Sequence, residues 1–147
     1  MAIIYTGFAD AIDACFEVKY FYESWRPLSA IAVADTDNNP MTVADLSWTP
    51  VVPTPNHPEY PAAHSCTAGA LGELLRQYYG TENVTNSFNS TVTGTTRTYT
   101  TTGALAEEIN VARIYGGMHF RYSTVAGAKL GKQVANWTMQ HAFGTRN

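Results

Sequence analysis

From Leu28 to Pro61 the chain is crowded with proline, aspartate, asparagine and threonine, in runs such as DTDNNP and WTPVVPTPNHPEYP. Proline lacks a backbone N–H and disfavours the α conformation in the residue before it, so an extended loop is predicted here. A loop of more than ~30 residues inside one compact domain is uncommon and usually functional. The regular structure must come from the segments on either side.

On the N-terminal side, residues 8–24 place Phe8, Ile12, Phe16 and Tyr20 four apart, with Cys15 and Val18 widening the stripe. That spacing predicts an amphipathic helix, which ends near Trp25 because Pro27 follows. On the other side, Ser65 to Tyr79 carries Ala68, Leu71, Leu74, Leu75 and Tyr78 at helical spacing, and Gly80 sits where a left-handed cap is expected. Residues 81–102 hold ten of the nineteen threonines, with Gly94 among them, and read as one small β-hairpin. A third helix runs from Gly103 to the Gly116-Gly117 break. The fourth covers roughly Ser123 to His141, where Gly127, Gly131 and Ala135 permit a close helix neighbour. The expected fold is a single all-α domain over residues 1–147, with four helices, long loops and one small β-hairpin.

Charged residues make up 14% of the chain, against ~25% in ordinary soluble domains. Surface this poor in charge predicts either an unusually compact chain or helix faces covered by a second copy or a partner chain. The net charge of −3 with no basic cluster excludes a general nucleic-acid or anionic-membrane binder. No apolar run approaches the ~20 residues of a membrane span. The start, MAIIYTGFADAID, lacks the features of a signal peptide, so a cytoplasmic location is the default expectation. Cys15 and Cys66 are too few for a disulfide framework and read as buried small hydrophobes. No zinc or iron ligand spacing is present, and Glu107 and Glu108 point about 100° apart on a helix, so they form no carboxylate dyad.

Three features carry chemistry. Lys19 and Arg26 lie seven residues apart, two helical turns, so both project from one face near a helix end, as an anion clamp or as a solvated pair favouring the helix dipole. His64 directly precedes the second predicted helix, beside unpaired backbone N–H groups that can bind an oxyanion; otherwise it is a loop or capping residue. Arg113 and His119 flank Gly116-Gly117, and a turn there lets the two converge. His57, among prolines, and His141, near the C-terminus, read as surface residues, and Trp25, Trp48 and Trp137 as core or loop anchors.

Taken in order, Lys19-x6-Arg26-Pro27, Pro61-Ala62-Ala63-His64 and Ala112-Arg113-x5-His119-x3-Ser123 resemble the three signature motifs of the vanadium-dependent haloperoxidase and type 2 phosphatidic acid phosphatase superfamily. The stretches AIDACFEVKYFYESWRP, PTPNHPEYPAAH and RIYGGMHFRYSTVAGAKLG are similar to the haloperoxidase branch, and the likeness covers roughly residues 8 to 137. It implies a helical bundle of that type, shortened at the N-terminus to about four helices. It also implies a site for vanadate, with phosphate able to take the same place. Lys19, Arg26 and Arg113 would be the cationic clamp, Arg26 and Arg113 as planar forks, with the Ala63 backbone N–H assisting. His119 would be the axial nitrogen ligand of vanadium, or the nucleophile of a phosphatase, and His64 the acid/base that protonates a leaving oxygen. The small-molecule substrates implied are halide and peroxide, or a phosphate ester.

Two positions depart from the motifs. Ala62 and Ala63 stand where a serine and a glycine are usual, which removes a hydroxyl donor. Ser123 stands where an aspartate usually polarises the histidine, so phosphotransfer through His119 is expected to suffer more than oxyanion binding, and the alternative to an enzyme is a catalytically weak oxyanion-binding remnant that self-associates.

Overall fold

A computed structural model describes residues 1–143. Its helices are α1 (Ala2–Tyr22), α2 (Pro27–Ala32), α3 (Ala63–Tyr79), α4 (Ala104–Tyr115) and α5 (Arg121–Ala142). A 3-10 turn at Ala34–Thr36 follows α2, and β1 (Asn86–Asn89) pairs antiparallel with β2 (Thr96–Tyr99), Asn86 opposite Tyr99. The chain is thus all-α, with four long helices and one small hairpin. No helix among the described residues is long and apolar enough to cross a membrane.

The core is made of small side chains. Ala11, Ala70, Leu74 and Ala135 form one buried cluster, and Cys15, Ala63 and Cys66 a second. Small residues let the helices approach closely: a Cβ added at Gly131 would lie 1.9 Å from the Cys66 carbonyl oxygen, and one at Gly69 would lie 2.4 Å from that of Ala128. The glycine spacing read from the sequence is therefore the seam between α3 and α5, and α1 packs across both.

Three expectations are corrected. α1 begins at Ala2 rather than residue 8, because Ile3 packs on the first cluster and tertiary contact extends the helix. The predicted loop opens with α2, since Pro27 at a first helical position has the right φ and lacks only an N–H that would be unpaired anyway. The irregular segment proper runs from Asp37 to Ala62. Trp25 and Trp137 are exposed rather than core, whereas Trp48 packs against Gly117, whose φ of 73° no side chain adopts readily.

Candidate functional site

The long irregular segment is tied down by the residues the motifs single out. Lys19, on the last turn of α1, is wholly buried, and its Nζ donates to the carbonyls of Pro58 (2.8 Å) and Glu59 (3.1 Å). Burial pulls its ammonium down to about 8 from the usual lysine range. Arg26 Nε donates to the His57 carbonyl (3.0 Å) and Nη2 to His57 Nδ1 (3.1 Å), while Nη1 donates to the Met118 carbonyl (2.9 Å) and to His119 Nε2 (3.0 Å). These four hydrogen bonds leave one of the five N–H donors of the guanidinium free. In this structure Arg26 is the joint between the segment and the α4–α5 turn, and an anion gripped by both of its prongs must displace one of its present partners.

His119 sits just before α5 and is almost fully buried. Its Nδ1 lies 2.8 Å from Glu59 Oε1, which also accepts from the Phe120 N–H at 3.0 Å. A carboxylate accepts only, so Nδ1 carries the proton, and Nε2, which accepts from Arg26, presents a lone pair. Burial lowers the His119 pKa, although Glu59 opposes the shift. The carboxylate expected to be missing at Ser123 is therefore supplied from 60 residues upstream, and Ser123 serves it, its hydroxyl donating to the Glu59 carbonyl at 3.3 Å.

Arg113 lies in the last turn of α4, and its Nε is buried with no partner among the described residues. Gly116 and Gly117 then reverse the chain, with the Met118 N–H donating to the Arg113 carbonyl. Ala63 is the first residue of α3, whose N-terminus no side chain caps, so its first N–H groups remain available to a ligand. His64 is exposed on the same first turn. Its pKa is lowered by partial burial and then by the charges of Arg113, Arg26 and Lys19, so the cations and this ring share one electrostatic neighbourhood.

Two residues here were missed by the sequence reading. His57 is not a surface residue: it is half-buried, packs on Phe16 at 5.0 Å between ring centroids, and holds Arg26 by both its carbonyl and its ring. Glu59 carried one signal, as the single carboxylate between Asp45 and Glu73. His141 bonds the Trp137 carbonyl and stacks on its ring, as a surface residue does.

His57, His64 and His119 all have pKa values lowered, first by burial. As the pH falls below the ordinary histidine value of ~6.5, the unfolded chain takes up protons that the folded one refuses, so stability must fall. Thermal melts between pH 7 and pH 5 are expected to show a declining Tm, and a flat profile would contradict the lowered pKa values of these rings.

No curated protein matches the chain. It is similar to the first bacterial vanadium-dependent iodoperoxidase of known crystal structure, with 28% identity and a TM-score of 0.80 over 94% of this chain and 32% of that one. A bacterial vanadium-dependent chloroperoxidase in its holo form shares 21% identity, with a TM-score of 0.67 over 89% of this chain and 32% of that one. An apo form shares 19% identity, with a TM-score of 0.74 over 97% of this chain and 36% of that one. The latter two likenesses show a shared fold, and the chain spans about a third of the length of these structures. Residues 1–147 match the VCPO second helical-bundle domain, and with the four long helices arranged as in these structures the chain belongs to that haloperoxidase family.

Proposed function

We propose that the site binds a tetrahedral oxyanion, vanadate first and phosphate by the same chemistry, and that it serves vanadium-dependent haloperoxidase activity. One observation carries this reading. His119 is fixed by Glu59 with its Nε2 lone pair engaged only by the Arg26 guanidinium, a contact a bound anion would take over, while Arg113 keeps a buried N–H with no partner among the described residues. A buried guanidinium donor left unpaired is costly in a finished interior, and an anion relieves it. The donors present fit a vanadate: three cations, the open first turn of α3, and one imidazole nitrogen. When bound, vanadate supplies a Lewis-acid centre that activates peroxide toward halide.

On this reading the protein's own residues divide the work. Glu59 holds the His119 proton on Nδ1, Arg113 and Lys19 neutralise the anion, and His64, neutral at neutral pH, exchanges a proton with a bound oxygen. Lys19 has two of its three donors committed to loop carbonyls, whereas Arg113 Nε is unpaired. In calorimetry with orthovanadate or phosphate, Arg113→Ala is expected to lose at least ~10-fold in affinity and Lys19→Ala less. Equal losses would contradict this division, and no binding by the wild type would overturn the oxyanion reading. Incubation with vanadate, peroxide, bromide or iodide and a halogen-acceptor dye tests the oxidation itself. Turnover no greater than that of free vanadate, with no loss on His119→Ala, would overturn it.

A second reading is favoured by the Glu59 carboxylate, which equips His119 as the nucleophile of a phosphatase. Hydrolysis of an aryl phosphate without halide oxidation would select it. Tyr20, Phe21, Tyr22 and Trp25 stand exposed at the end of α1, and we propose that a second copy or a partner chain covers them. Light scattering that showed a stable monomer would remove the second copy.

A further inference from the structure

Outside the anion site, the one pair of thiols in the chain is Cys15 on α1 with Cys66 on α3. Both are free thiols, both are fully buried, and their sulfurs are 2.8 Å apart, with Cys66 donating to Cys15. A disulfide bond is ~2.05 Å long, so the two sulfurs need move less than ~1 Å toward each other. The pair lies in the second core cluster with Ala63, where Cys15 is one turn from Lys19 and Cys66 two residues from His64. No third cysteine competes for either partner.

We propose that Cys15 and Cys66 form an intrachain disulfide when the protein meets hydrogen peroxide, stapling α1 to α3 beside the anion site. The hydrogen bond from Cys66, helped by the nearby Lys19 charge, holds the Cys15 thiol below its ordinary range, and the same bond pushes Cys66 up. Cys15 is therefore the sulfur that gives up its proton more readily and attacks, and Cys66 the thiol that resolves. The Cys15 sulfur bonds to one peroxide oxygen, the O–O bond breaks, and the departing oxygen takes up the proton that Cys15 released and leaves as water, which makes a sulfenic acid on Cys15. The Cys66 sulfur then displaces that hydroxyl, loses its proton, and a second water departs. Two thiols give up two electrons and one peroxide is reduced to two waters. Because both sulfurs are covered, the reaction waits on local opening and proceeds slowly.

This assignment stands whether or not the neighbouring site binds vanadate. The full chain is reduced, desalted, treated with a small excess of hydrogen peroxide and compared with an untreated sample by intact mass and by thiol titration in denaturant. The expected product is monomeric, lighter by about 2 Da, and free of titratable thiols. Its Tm rises by roughly 10 °C over the reduced form, as closing a loop of this size predicts, and dithiothreitol reverses the change. Neither Cys15→Ala nor Cys66→Ala should show a peroxide-dependent rise. Two free thiols after treatment, a covalent dimer, or mass gained as sulfinic or sulfonic acid would each overturn the proposal. If the alanine variants do not fold, the wild-type mass and thiol count decide it alone.

Discussion

Glu59→Ala is expected to lower stability by about 3–5 kcal/mol and to abolish most of the anion affinity. The carboxylate is fully buried, and Oε1 receives both the His119 Nδ1 proton and the Phe120 N–H. Truncation leaves two buried donors without an acceptor, each costing about 1–3 kcal/mol. The imidazole is then free to change tautomer, and a ring protonated on Nε2 offers no lone pair to a ligand. Glu59→Gln separates these effects. It keeps the shape and one acceptor oxygen but loses the charge, so a smaller stability loss with a 10–100-fold drop in vanadate or phosphate affinity is expected. Urea unfolding and calorimetry on the two variants measure this. A Glu59→Gln protein that bound either anion within threefold of wild type would show that the charge on this carboxylate does no work at the site.

Gly131→Ala is the second large effect, expected to destabilise by about 3 kcal/mol or more. The new methyl would sit 1.9 Å from the Cys66 carbonyl oxygen, 2.8 Å from its carbonyl carbon and 2.9 Å from the Ala70 nitrogen. All three are backbone atoms, so no side chain can rotate away and α3 must separate from α5. That separation also lifts the first turn of α3, which carries Ala63 and His64, so anion affinity should fall with stability. Gly103→Ala serves as the control, because a Cβ there meets nothing within 4 Å. It should change stability by less than ~0.5 kcal/mol. Comparable losses from the two substitutions, measured by denaturant midpoint, would overturn the close-packed seam.

The features legible in the sequence were those with local causes. The small-residue spacing of Gly127, Gly131 and Ala135 foretold a close helix contact, and Gly116-Gly117 foretold a turn between Arg113 and His119, because both depend on steric rules within a few residues. Hydrophobic spacing found the four long helices, but their ends shifted where distant contacts ruled, as Ile3 shows at the start of α1. The likeness of the three motifs to haloperoxidases named the family. What escaped was every interaction joining the long segment to the helices. Glu59 meets His119 across 60 residues and His57 meets Arg26 across 31, and no periodicity encodes such pairs. The departure at Ser123 looked like a loss only because its replacement lay in another part of the chain.

Lys19, Arg26 and Ser123 grip the long segment through the main-chain oxygens of His57, Pro58 and Glu59. An anchor of that kind depends on the path of the backbone and hardly at all on which side chains decorate it. Residues 37–47 can therefore be rewritten, lengthened or grafted from a relative, whereas Trp48 to Val52 brace the Gly116-Gly117 turn and must stay. For an engineer who wants to change the surroundings of the proposed anion site, the first stretch is the interchangeable part, and the His57-to-Glu59 hinge is the fitting that must be left alone.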